Sequence, residues 1–216
     1  MMALPDHKIA QRHHYQEEDL AFYPYNETNL QPASYDLRLG QEFRTLKRPT
    51  VWERAKKWTL SKIPFSDVEP AHYDPRNPET IDEEVEMVGE DGHFMLGPDD
   101  FVLGHTKEVV SIPDNVVGVV HGRSSWARVG VNPHLGGYID PGYEGQITLE
   151  LSNQTQAPIK LREGDRFCQI ALHELPEKAS DPYTGKYQGD RGAESTRFHL
   201  DEEYQPPKVD TFFAQE

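Results

Sequence analysis

Cysteine is almost absent from this 216-residue chain, where Cys168 stands alone. A single thiol excludes an internal disulfide framework and any zinc site built from several cysteines. Basic charge is scarce as well: 22 Lys and Arg face 37 Asp and Glu, leaving a net charge of −15 with histidine neutral. A field of that sign repels polyanions, so extended DNA or RNA is not an expected partner. A small anionic ligand can still be held where cations cluster locally. Long apolar runs are also missing. No stretch of about 18 apolar residues occurs, and the opening MMALPDHKIAQRHH has no apolar leader core. The expectation is a cytoplasmic protein with no membrane contact, large enough to bury a substantial core.

Regular structure is read from periodicity and turn residues. Residues 4–20 predict a short helix capped by Asp6. His13 and His14 would point about 100° apart on it, which suits a solvated face better than a shared ligand. In SYDLRLG, Tyr35, Leu37 and Leu39 alternate with Asp36, Arg38 and Gly40, a strand pattern that sets Asp36 and Arg38 on one face as an ion pair. Residues 47–92 read as an irregular insertion rich in proline, which Trp52 and Trp58 suggest packs down in part. Within it, 81–92 fits a short helix or an acidic strand equally. From residue 93 the grammar is all-β: short Val, Leu and Phe runs broken by Gly-Pro, Asp-Asp and Pro-Asp-Asn turns at eight-to-twelve-residue spacing, as in a sandwich or jelly-roll barrel. In RFCQIAL, Cys168 alternates as a core filler rather than a nucleophile. Residues 1–176 therefore form one β domain, and the polar, glycine-punctuated 177–216 reads as a flexible C-terminal segment. Its interleaved Tyr, Lys and Arg residues also suit an arm that orders over a ligand.

Chemistry concentrates in HGRSSWARVGVNPHLGGYIDPGYEGQITLE, residues 121–150. In GQITLELSN, Ile147, Leu149 and Leu151 share one face, and Thr148, Glu150 and Ser152 share the other. A carboxylate lodged there in a partly dry pocket would be pushed toward neutral pKa, which suits a proton shuttle. Arg123, Ser124, Ser125 and Arg128 supply two guanidiniums and two hydroxyls, an anion cradle in which arginine can meet phosphate oxygens in pairs. Asp140, held extended before Pro141-Gly142, can accept a hydrogen bond from a sugar hydroxyl or cap its own turn.

These residues carry a resemblance. HGRSSWARVG, GGYIDPGYEGQITLELSN, PIKLREGDRFCQI and PYTGKYQGDRG, with QPASYDLRLG and FVLGHTKEVVSIPDNVVG upstream, resemble the dCTP deaminase branch of the dUTPase-like superfamily, in order, over about residues 30 to 198. The resemblance implies a distorted jelly-roll or β-barrel with a few short helices, assembled as a homotrimer with sites between subunits. It implies hydrolytic deamination of dCTP to dUTP without a catalytic metal, continuing in some members to dUMP and pyrophosphate, with magnesium accompanying the triphosphate. Glu150 matches the glutamate that activates water, and Ser124 and Arg128 match the residues that hold that water and the glutamate. Arg123 and Ser125 match phosphate contacts, Asp140 the contact to the deoxyribose 3′-hydroxyl, and Tyr183, Lys186 and Tyr187 the closing arm. The zinc-deaminase alternative requires an H-x-E and P-C-x-x-C signature that one cysteine cannot supply.

Three departures from the family pattern stand out. The corner VNPHLGGYIDPG is one residue short, with Leu135-Gly136 in place of a Thr-Ala pair. Gly137-Tyr138 resembles the bifunctional members. Asp190 replaces a glutamine of the arm, which bears on base recognition and opens the reading of a modified cytosine. A non-catalytic nucleotide-binding regulator on the same fold is the other alternative.

Overall fold

The computed structural model describes residues 2–14, 20–47, 55–56, 58–60, 62, 73–134 and 136–201. Among these, strands dominate. The N-terminal part holds β1 (Met2–Ala3), α1 (Asp6–His14), β2 (Ala21–Tyr23), β3 (Leu30–Gln31), β4 (Ser34–Arg38) and β5 (Glu42–Leu46). The middle holds β6 (Glu83–Met87), β7 (His93–Leu96), β8 (Phe101–Ser111), β9 (Val116–Gly122) and the one-turn helix α2 (Ser124–Ala127). There follow β10 (Val131–His134), β11 (Tyr138–Ile139), β12 (Glu144–Asn153), β13 (Ile159–Arg162) and β14 (Arg166–Glu174).

The strands form two larger sheets. One runs β11-β9-β14-β4-β3 with β1 added beside β14, and the other runs β10-β12-β8-β5-β6 with β2 added beside β8. β7 and β13 make a separate pair. The expected all-β class holds. Among the described residues neither hydrogen-bonded order returns to its first strand, so no closed barrel is found, and the two larger sheets bury their inner faces.

β12 shows why these residues form these strands. Gly145, Ile147, Leu149, Leu151 and Asn153 are buried while Gln146, Thr148, Glu150 and Ser152 are not, the period-2 alternation of a strand with one face on the core. Tyr35, Leu37, Leu39, Phe43, Leu149, Leu151, Phe167 and Ile170 are wholly buried. Burying each such side chain contributes roughly 1.5–3 kcal/mol. Cys168 is buried among them, and burial pushes its thiol far above the usual range. It is a core filler, as its alternation indicated.

Compact packing divides the chain into two units: residues 1–45 with 85–195, and residues 46–84 with 196–216. In the first, residues 182–194 run alongside β12 rather than apart from it. Tyr183 N–H donates to Pro141 O (2.8 Å) and Gly189 N–H to Glu144 O (2.8 Å), while Gln146 N–H donates to Asp190 O (2.9 Å). In the second unit, Tyr73 Oη donates to Lys47 O (2.7 Å), and the Arg76 guanidinium lies 6.0 Å from the Phe198 ring centre.

Several local expectations are corrected. Asp6 is the first residue of α1 rather than its cap, since Ile9 N–H already donates to Pro5 O (3.0 Å). His13 is not on a solvated face: its ring stacks on Tyr25 at 4.0 Å and Nδ1 accepts from Phe22 N–H (3.4 Å). Asp36 and Arg38 do not pair with each other. Arg38 turns to Glu108, Nε to Oε1 at 2.6 Å and backbone N–H to Oε2 at 2.8 Å, and Asp36 finds other partners, described below. Residues 83–87 of the ambiguous 81–92 stretch are a strand. Trp58 is 60% exposed, with Lys62 Nζ 5.5 Å above its ring, so it does not anchor the insertion; Trp52 lies outside the described residues.

Candidate active site

β9 delivers the chain to the basic turn. Arg123 is extended (φ −82°, ψ 136°) and caps α2 with its carbonyl, which accepts from Trp126 N–H (3.1 Å) and Ala127 N–H (3.2 Å). The helix lasts one turn, and Gly130, at φ +80°, ends it in the left-handed conformation that glycine adopts without steric cost. Ser124, Ser125 and Arg128 are all exposed, so their hydroxyls and the guanidinium face outward from a short, rigid platform. Amides at the start of such a turn have no intrahelical acceptor and add donors to the same surface.

Arg123 is held from behind. Its Nε lies 3.3 Å from Asp36 Oδ2, and its Nη1 donates to Arg166 O at 2.9 Å. The same carbonyl accepts from Trp126 Nε1 (3.0 Å), and Trp126 packs against Phe167 with ring centres 5.2 Å apart. The register of β14 against β4 slips between Arg166 and Cys168. This irregularity takes the Arg166 carbonyl out of the ladder and presents it to the turn, the usual local effect of a bulge. Asp36 is 1% exposed and also lies 3.4 Å from Arg166 Nη1. Burial raises its carboxyl above the usual carboxylate range, and the charges of Arg123 and Arg166 pull it back.

The turn then feeds β10, which lies beside β12 in antiparallel register with His134 opposite Glu150 and Pro133 opposite Leu151. Gly122 approaches this strand so closely that a Cβ there would sit 2.7 Å from Pro133 Cγ. On its other side Glu150 faces Leu103 of β8. Glu150 is half-buried on the β12 face it shares with Thr148 and Ser152, the placement its sequence spacing indicated.

Gly136, Tyr138 and Asp140 belong to a different neighbourhood. β11 pairs with β9, Tyr138 opposite Val119 and Ile139 opposite Gly118, so it forms the edge of the first sheet. Gly136, Tyr138 and Asp140 are exposed there. The Asp140 carbonyl accepts from Tyr143 N–H (3.2 Å), and Gly142 takes φ +89° to complete the corner. The C-terminal segment docks on this corner. Beyond the Tyr183 bond, Gln188 Nε2 donates to Gly142 O (3.0 Å), Tyr187 N–H donates to Tyr183 Oη (3.1 Å), and Lys186 Nζ stands 5.2 Å over the Tyr187 ring. Asp190 is 7% exposed, buried beside β12 rather than presented on the surface.

Within one chain, then, the candidate residues fall into two groups. The turn carrying Arg123, Ser124, Ser125 and Arg128 leads into β10 beside Glu150. Asp140, Tyr138, Tyr183, Lys186 and Tyr187 gather at the corner where β12 begins. Along β12, six residues separate Glu144 at that corner from Glu150, with a register irregularity between Gln146 and Thr148. Sequence reasoning missed Asp36 and Arg166 as supports of Arg123. The only available signal was the charge pattern of β4, which shows a face and not a partner. Among the described residues, no three His, Cys, Asp or Glu side chains group so as to hold a metal ion.

Comparisons with known proteins place the chain by sequence and fold. The profile of the "dCTP deaminase-like" family matches residues 3–175. A curated protein of Persephonella marina named "dCTP deaminase, dUMP-forming" is 35% identical over 202 residues, covering 94% of this chain and 100% of that one. A "dCTP deaminase" of Natronomonas pharaonis is 41% identical over 211 residues, covering 94% of this chain and 98% of that one. Among solved structures, 2′-deoxycytidine 5′-triphosphate deaminase from Agrobacterium tumefaciens superposes with a TM-score of 0.54 at 20% identity. The match covers 80% of this chain and only 47% of that longer one, a likeness of fold. With its family profile matched over most of its length, the chain belongs to the dCTP deaminase-like family.

Proposed function

We propose that the protein deaminates dCTP by hydrolysis, without a catalytic metal, and carries the product on to dUMP and pyrophosphate. The observation that carries the reading is Glu150, a half-buried carboxylate on an otherwise core-building strand, beside the β10 that follows a turn of arginines and serines. Water bound at Ser124 gives a proton to Glu150 as its oxygen bonds to C4 of the cytosine. Glu150 returns that proton to the ring nitrogen. The proton of the new C4 hydroxyl then passes to the 4-amino group, which leaves as ammonia as the C4–N bond breaks and the C4 carbonyl of uracil forms. One carboxylate serves twice because it is a base in the first step and an acid afterwards. Arg128 stabilises the charge that develops during attack.

Arg123 and Ser125 meet the phosphates, Asp140 accepts from the deoxyribose 3′-hydroxyl, and Gly136 and Tyr138 line the sugar side. Tyr183, Lys186, Tyr187 and Asp190 belong to the arm that covers the nucleotide. The turn offers guanidiniums and hydroxyls rather than carboxylates, so magnesium would be held by the triphosphate oxygens and enter with the substrate. A single nucleotide is met by the Arg123–Ser125 turn of one copy and by the Asp140-to-Glu150 half of another. A homotrimer with sites between subunits satisfies that requirement. The second step is supported by the name of the Persephonella relative and by Gly137-Tyr138.

Incubating the protein with dCTP and Mg²⁺ while following ammonia, dUTP and dUMP tests this directly. Ammonia with matching dUMP supports the two-step reading, and ammonia with dUTP limits it to deamination. Binding without turnover of dCTP or of 5-substituted dCTP points to a regulator.

A further inference from the structure

We infer that Asp36 is a positioning residue for triphosphate binding: buried in β4, it fixes the Arg123 guanidinium so that one edge is presented to the ligand. The inference deepens the proposed function and rests on that reading of the Arg123 turn.

A guanidinium has five N–H donors in a rigid plane. Here Nε lies 3.3 Å from Asp36 Oδ2 as an ion pair, and Nη1 donates to Arg166 O (2.9 Å). With Nη1 bonded and Nε paired inside the protein, the Nη2 donors remain for a ligand, and the side chain retains 26% exposure. An arginine held at two corners loses less rotamer freedom on binding than one that must be ordered by its ligand. Asp36 is 1% exposed, and its other contact is a hydrogen bond from Arg166 Nη1 at 3.4 Å, donated by a residue that is itself 43% exposed. Keeping a carboxylate in the sheet carries a desolvation cost, which the Arg123 and Arg166 charges offset. The three strands involved lock the arrangement. β14 lies between β4 and β9, with Gln169 opposite Asp36 on one side and His121 on the other, so the acid and the start of the turn are carried by strands flanking β14.

Neutralising the carboxylate isosterically tests this. Asp36→Asn should fold with an unchanged circular dichroism spectrum and bind dCTP about tenfold more weakly, the loss expected when a preorganised charge-assisted contact is loosened. The test takes Arg123 to meet the β- and γ-phosphates: dCMP affinity should then stay within a factor of two, and kcat should change less than KM. In a double-mutant cycle, adding Asp36→Asn to Arg123→Gln should weaken dCTP no further. The smaller Asp36→Ser, with formate restoring dCTP affinity, repeats the test in a second background. Equal weakening of dCTP and dCMP overturns the inference, as does full additivity in the cycle. Failure of both Asp36 variants to fold also overturns it, by making Asp36 a stability element. Wild-type protein that binds no dCTP would instead overturn the proposed function.

Discussion

At the scale of single residues, alternation showed which way side chains point and did not show whom they meet. Glu150, Ile147 and Cys168 are where their spacing put them, because a strand's two faces are a local property. Asp36 and Arg38 share a strand, yet their partners come from residues 87 and 70 positions away, Arg123 and Glu108. Such partners are set by sheet order, which no local pattern contains. His105 was equally silent in the sequence. Its ring fills the space beneath Gly40, Nδ1 lies 2.8 Å from Thr106 O, and Nε2 accepts from Glu42 N–H at 3.3 Å. That arrangement requires a neutral ring with the proton on Nδ1. Burial lowers its pKa below the ordinary 6.5, against the hydrogen bond to Thr106 and the charges of Glu42 and Glu163. A depressed folded pKa stabilises fully above 6.5 and loses that contribution as pH falls through 6.5 toward the folded value. Buried Glu108 and Asp36, raised above their ordinary 4.5 and 3.8, act in the opposite sense at lower pH: their contribution is present below those values and fades as pH rises. Urea unfolding of wild type and His105→Gln should therefore diverge as pH drops below 6.5. Wild type should lose up to about 1.4 kcal/mol per unit relative to the variant; parallel profiles would remove His105 from the account.

At the scale of elements, β7, β8, β9, β12, β13 and β14 were legible as strands because turn residues punctuate them regularly, and the basic turn was legible as a cradle from its residue types. The C-terminal segment was legible only as a choice between a flexible tail and an arm that orders over a ligand. Its glycines and charges suggested flexibility, yet residues 182–194 lie along β12, held mainly through backbone atoms whose partners have no sequence signature. Gly142 is the hinge of that docking. At φ +89° a side chain is strained, and a Cβ would sit 2.7 Å from Pro182 Cβ and 3.0 Å from Tyr183 N. Gly142→Ala should cost more than about 1 kcal/mol and raise the KM for dCTP severalfold, with faster tryptic cleavage at Lys186. A variant with wild-type KM and cleavage would show that the docked segment does not serve the site.

At the scale of the whole molecule, the all-β class followed from turn spacing, whereas the opening of the expected barrel into two sheets depends on pairings far apart in sequence, such as β14 with β4. The proposed sharing of one site between copies makes assembly part of the catalytic account. Sedimentation should give a mass of three copies of the 24.8 kDa chain, and dilution to monomers should abolish turnover; an active monomer would mean that one chain brings both halves together. The central claim is that Glu150 moves the protons. The most direct measurement is ammonia release from dCTP by Glu150→Gln, with dCTP affinity measured on the same preparation. Deamination should fall by about 10²–10⁴-fold, the range for loss of a general base, while affinity changes little. Deamination at the wild-type rate would contradict the assignment.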